Sequence, residues 1–227
     1  MQSKVLYMQR DESLEAITDI RRMMEKSSRF ISLSGLSGVS AGICALIGAW
    51  IAWPFAYGTK EQFIDVPAGL SLAIAESYYN VFNLWLFWIG IGTFIAAFLS
   101  AFLFTWLRSK REGFPIWGKT AKRLVINVSI PMVAGAIFLV MLVHYAAVEF
   151  VVPGCLIFYG LGLVNASKYT LEEIRYLGYS EILLGIISLF FIGYGLFFWA
   201  FGFGVLHIAY GIYMWQKYER SGIKDTQ

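Results

Sequence analysis

The chain has 227 residues, of which 58% are hydrophobic, 18% aromatic and only 15% charged, with a formal net charge of +3. Soluble domains carry roughly 25% charged residues, and apolar runs near the roughly 20 residues that cross a bilayer recur here. The composition excludes an ordinary soluble domain and reads as a polytopic, all-α membrane bundle. The two cysteines, Cys44 and Cys155, form no CxxC or Cys/His spacing and read as small buried hydrophobes.

Residues 1–30 hold six basic and five acidic side chains and no apolar core. They do not have the pattern of a cleavable signal peptide, so the first span is expected to serve as an uncleaved insertion signal. Leu14, Ile17, Ile20 and Met23/Met24 form one apolar stripe over 11–29. Arg21–Glu25 and Glu25–Arg29 pair at i,i+4 on its polar side, which predicts a cytoplasmic amphipathic helix.

Six transmembrane helices are expected within 31–216. The first runs about 31–53 and ends at Trp53-Pro54. The second, about 82–107, follows a polar loop at 58–80. A basic loop, RSKREGFPIWGKTAKR (108–123), precedes the third, about 124–146, and a tight turn near Glu149 gives the fourth, about 150–167. The last tract, Gly178 to Trp215, would be about 57 Å long as one helix. Against a hydrocarbon core of about 30 Å that predicts two spans, with the turn placed at Phe197 to Ala200. A cytoplasmic tail, 217–227, completes the chain.

Seventeen of the 18 Lys and Arg residues fall in the four segments on one side of this arrangement, leaving only Lys60 opposite. Such a bias places both termini in the cytoplasm and requires an even number of spans. No internal repeat relates the first three spans to the last three, so the inverted-repeat pattern of many secondary transporters is not visible.

FPIWGKTAKRLVINVSIPMVAGAIF (114–138), LIFYGLGLVNASKYTLEEIRYLG (156–178) and GYGLFFWAFGFGVLHIAYGIYMW (193–215), with SSRFISLSGLSG near the start, resemble a family of small bacterial multi-span inner-membrane proteins with no established activity. The resemblance covers most of the chain. It implies a bacterial inner-membrane location and carries over no catalytic or binding residues.

SGLSGVSAGICALIGAW (34–50) contains two serine-hydrolase spellings, Gly35-Leu36-Ser37-Gly38 and Gly38-Val39-Ser40-Ala41-Gly42. A serine needs a base within hydrogen-bond reach, and His207 lies at a depth comparable to Ser40. Against that dyad, no strand precedes Gly38 to form a nucleophile elbow, and no oxyanion donor accompanies the serine. The same stretch also reads as a packing surface. Ser34, Gly38 and Gly42 recur every fourth residue, as do Ala41, Ala45 and Ala49, and such spacing lets membrane helices approach closely. Packing accounts for nearly every small residue in the stretch, catalysis for two or three.

His207, flanked by Gly204 and Gly211 on its own helical face, is the one imidazole expected deep in the membrane, where ionisable groups mark functional sites by default. The structural alternative is a neutral histidine bonded to a neighbouring hydroxyl or carbonyl. His144 and Glu149 are expected as an outward-facing polar pair or as ordinary interface residues. Their depth does not match His207, and with only two histidines in the chain no haem, histidine-rich metal site or other cofactor is implied.

Asn165 is expected to cap or bond between helices, and Glu181 to pair with Lys168 or Arg175. Pro131 should kink the third span. The basic loop is explained by anionic lipid and topology; no Walker loop, HExxH, dinucleotide fingerprint or nucleic-acid module accompanies it. Three functions remain: a non-enzymatic protein working through helix packing as an oligomer or partner subunit, a small-molecule or lipid carrier with a cavity near His207 and Pro131, and an intramembrane serine hydrolase.

Overall fold

The computed structural model describes residues 34–57, 71–113, 117–145 and 147–220, with side chains of the second stretch described from 85 onward. The expected amphipathic helix over 11–29 and the tail beyond 220 lie outside the described residues. The described chain is all-α. Helix α1 is Gly35–Tyr57, α2 Ser71–Glu112, α3 Lys119–His144, α4 Val151–Ala166, α5 Ile174–Ser188 and α6 Gly195–Arg220. Among the described residues five helices are long and apolar enough to cross a membrane: α1, the Trp85–Arg111 part of α2, α3, the Val148–Ala166 segment containing α4, and α6.

The helices form a row. α2 packs on α1, α1 on α6, α6 against the α4–α5 hairpin, and α3 on α4 at the far end. Glycine decides where backbones meet. On α1, a Cβ at Gly42 would stand 2.7 Å from the Gly204 carbonyl, and one at Gly38 would stand 3.2 Å from the Gly211 Cα. A Cβ on Gly211 would in turn meet the Gly35 carbonyl at 2.6 Å. Any larger side chain must therefore push α1 and α6 apart, whereas in lipid close approach is the main source of helix association. Ala45 and Ala49 are buried and Ala41 half-buried on the same helix. The α4–α5 pair repeats the device with Gly160 and Gly178, each set against the other's carbonyl.

The boundaries differ from the sequence expectation in three places. Pro54 does not end the first span but lies inside the last turns of α1, where its fixed φ suits a helix and only one intrahelical bond is lost. α2 begins at Ser71, inside the expected polar loop, because SLAIAESYYN contains neither proline nor glycine and can continue as helix beyond the apolar stretch. The turn before the last helix falls at 189–194, not at Phe197 to Ala200. Gly193, with φ +100°, supplies the left-handed residue such a turn needs, while 197–200 has no glycine and stays helical. The turn presents Phe190, Phe191, Ile192 and Tyr194 outward, and aromatic rings are favoured at a membrane interface.

The end of the row that carries the basic loop is tied by two carboxylates. Glu219, in the last turn of α6, accepts from the Gly35 amide at 2.6 Å, the Ser34 hydroxyl at 3.1 Å and Arg108 Nη1 at 3.4 Å. It supplies one of the partners that the amides at a helix start otherwise lack. Glu173, just before α5, accepts from Lys217 Nζ at 2.5 Å and from the Tyr218 hydroxyl at 2.6 Å.

Candidate functional site

The serine-rich start of α1 folds as helix, and each hydroxyl turns back on its own backbone. Ser37 Oγ donates to the Ser34 carbonyl at 2.5 Å and Ser40 Oγ to the Ser37 carbonyl at 3.0 Å. A hydroxyl that donates to the preceding turn is satisfied without a partner helix. Neither serine is bonded to His207, whose two ring nitrogens are both engaged elsewhere. The structure does not assemble the Ser40–His207 dyad.

His207 lies about 18 Å from the Gly195 end of α6 and about 20 Å from the Arg220 end, at 1.5 Å per residue, and so near mid-helix. It is 6% exposed. Its Nδ1 stands 3.0 Å from the Gly202 carbonyl. A carbonyl can only accept, so Nδ1 carries a hydrogen, and in the neutral ring Nε2 accepts the Tyr159 hydroxyl proton across 2.7 Å. Phe203 stacks on the imidazole, with ring centroids 6.0 Å apart. The residues leading into His207, Ala200–Leu206, are wound as a π-helix. That winding is rare, and where it occurs it frequently marks a functional site.

The third member of the cluster comes from α5. Glu181 is 0% exposed, its Oε1 is 3.4 Å from His207 Nδ1, and neither carboxylate oxygen has a hydrogen-bond partner among the described residues. The expected pairing of Glu181 with Lys168 or Arg175 is not what the fold makes. Lys168 Nζ donates to Asn165 Oδ1 at 3.5 Å, and Arg175 lies over the Tyr176 ring. The reason is periodicity: Ile174, Leu177, Gly178, Glu181, Gly185 and Ser188 form the buried face of α5, so Glu181 points into the bundle. Gly202 makes room for it, since a Cβ there would stand 2.7 Å from Glu181 Oε2 and 2.6 Å from Leu156 Cδ2. Sequence reading missed this member because Glu181 sits near a charged loop; its three- and four-residue spacing from Leu177, Gly178 and Gly185 is the signal that places it inside.

The other expected site residues lie apart. Asn165 donates from Nδ2 to the Asn127 carbonyl at 3.4 Å. That carbonyl is the one Pro131, four residues on and inside α3, leaves without its helical donor. The kink residue and the bridging amide are therefore two halves of one feature. His144 and Glu149 are both exposed and not bonded to each other; the His144 ring lies against Tyr145, with centroids 5.1 Å apart. Among the described residues no three His, Cys, Asp or Glu side chains gather as a metal site would require.

Comparison with protein-family models, curated proteins and solved structures finds no match. What stands is a multi-pass, all-helical membrane architecture in which a buried carboxylate and imidazole and a half-buried phenol come together where α4, α5 and α6 meet.

Proposed function

We propose that the chain is a non-enzymatic bacterial inner-membrane protein that crosses the bilayer six times with both ends in the cytoplasm, and that it acts as a proton-linked carrier or binding protein for a small molecule or lipid. The carrying observation is Glu181, fully buried beside His207, with neither oxygen hydrogen-bonded among the described residues. A lone carboxylate at such a place costs several kcal/mol, by rough estimates, unless a proton or cation accompanies it. One proton beyond the carboxylate and neutral imidazole leaves the Glu181–His207 pair without net charge, and exchanging that proton is work the cluster is built for. α5 serves as the sixth span, completed by the aromatic turn at 189–194. The small-residue face of α1 lends less to association between chains than its spacing suggests, because α6 of the same chain already occupies it.

The test uses full-length protein in nanodiscs and proteoliposomes. Infrared difference spectra between acid and alkaline buffer should show a protonated-carboxyl band that Glu181→Gln removes. Vesicles given an inward-negative potassium diffusion potential should take up protons faster with wild type than with Glu181→Gln. Identical spectra and identical uptake for the two proteins overturn the proposal. A reporter domain fused after Gln227 should be active only on the cytoplasmic side; activity outside overturns the topology.

Association with a second copy is a further reading, favoured by Gly90 and Gly92 on α2, whose outward faces meet no atom within 4 Å. Disulfide trapping through Gly90→Cys in a background free of Cys44 and Cys155 should yield a dimer in native membranes; monomer alone removes the reading.

A further inference from the structure

Between the buried cluster and the end of the molecule with the basic loop lies one more polar group that no structural role uses. The Tyr210 hydroxyl is buried and has no hydrogen-bond partner among the described residues. It sits three residues beyond His207, about 4.5 Å further along the α6 axis at 1.5 Å per residue. It lies on the stretch of α6 between His207 and Tyr218, whose hydroxyl donates to Glu173. Glu173, just before α5, and Glu181, within it, lie eight residues apart, about 12 Å, with Glu173 half-buried under Lys217 and Tyr218 and Glu181 buried beside His207. α5 and α6 run antiparallel, so the two ends of this ladder are matched by two ends on α6.

Resting on the proton-linked reading above, we propose that Tyr210 is the relay through which the Glu181–His207 pair exchanges its proton with the cytoplasmic face. The route runs from Glu173 and Tyr218 to Tyr210, then to Tyr159 and His207 Nε2. In the uptake step Tyr159 gives its hydroxyl proton to Nε2 and regains one from the Tyr210 side, while Nδ1 passes its own proton to Glu181 Oε1, 3.4 Å away. Each O–H or N–H bond that breaks is matched by one that forms, and the pair ends as a neutral imidazole and a protonated carboxyl. The orphaned Tyr210 hydroxyl is the place for a bridging water, since buried polar groups are nearly always bonded to protein or ordered water.

The surroundings hold few competitors. α4 presents Tyr159, α5 presents Glu181, and α6 presents His207 and Tyr210. α1 faces the His207 carbonyl with Gly38, and its Cys44 lies against Ser100 of α2. Toward the opposite end, Leu156 and Ser188 are 0% and 2% exposed, and the Ser188 hydroxyl is spent on the Gly185 carbonyl.

The experiment follows the protonated-carboxyl infrared band of full-length protein in nanodiscs after a rapid pH jump, for wild type, Glu181→Gln, Tyr210→Phe and an exposed control, Tyr213→Phe. Tyr210→Phe removes one oxygen and should slow the response by about a hundredfold, the lower end for a lost proton-transfer group, while leaving the final amplitude unchanged. Tyr213→Phe should follow wild type. Should Tyr210→Phe fail to assemble, Tyr218→Phe at the mouth of the file carries the same expectation. If wild type shows no band that Glu181→Gln removes, the proton-linked reading itself falls. If the band responds but Tyr210→Phe, or its substitute, keeps the wild-type rate, the relay alone is overturned.

Discussion

The meaning of a single side chain here depends on what its neighbours leave it to bond. Ser37 and Ser40 spend their hydroxyls on the preceding turn, so a fluorophosphonate probe should leave the protein unlabelled, and Ser40→Ala should shift stability by no more than about 0.5 kcal/mol; labelling lost in Ser40→Ala would contradict this. Glu181 and His207 behave oppositely, because each is what makes the other tolerable. His207→Ala abandons a buried carboxylate and should lower stability by about 3 kcal/mol or more, whereas Glu181→Gln removes the charge and should cost little or even stabilise. Thermal unfolding of the two variants in lipid checks the order, and a larger loss for Glu181→Gln would contradict it.

Elements meet here through backbone more than through side chains. Gly42→Val adds bulk where the Gly204 carbonyl and the Ile208 side chain already stand within 3 Å of a Cβ, and overpacking of this kind costs about 1–3 kcal/mol. Loss of α1–α6 association, read by disulfide trapping between the two helices, should accompany it. On the other side of the row, Pro131→Ala restores an N–H for the Asn127 carbonyl and should make Asn165 expendable. A double-mutant cycle with Asn165→Ala should therefore show coupling of about 0.5–1 kcal/mol; strictly additive losses would show that the amide does not serve the freed carbonyl. Both residues stood out in the sequence, one as a kink and one as a bridge. Their connection did not, because it depends on α3 and α4 lying side by side in a register that no local pattern encodes. The α5–α6 turn was similarly hidden: the tract is mostly apolar, and Gly193, which makes the turn, is one of several glycines in it. Apolar runs and basic loops, by contrast, made the all-helical membrane architecture legible, since they answer to the bilayer and not to neighbouring helices.

Across the whole molecule, the described Lys and Arg side chains gather at the end that carries the basic loop. At the Glu173 carboxyl, burial pushes upward, but hydrogen bonds from Lys217 and Tyr218 and the Lys217 charge outweigh it and hold the group below the usual carboxylate range. A carboxyl depressed on folding adds stability that is present above its unfolded value, about 4.3, and is lost as pH falls through the folded one. Unfolding temperature in lipid should therefore drop on acidification below about pH 4, and Glu173→Gln should flatten that drop; an unchanged acid limb in the variant would show that the latch to Lys217 and Tyr218 does not hold α6 to α5.

The cap that Glu219 places on the Gly35 amide has a temporal consequence. A ribosome makes α1 well before the last turn of α6, so that helix must wait in the bilayer, with its glycine face on lipid, for some 180 further residues. Ser37 and Ser40, bonded to their own helix, let it wait without exposed hydroxyls. Only when that turn arrives do the two ends of the described chain lock together, so the seal on α1 forms only after α6 has been made. A ribosome stalled shortly before Glu219 would leave an inserted but unsealed protein, recognisable to a membrane protease by its loose first helix.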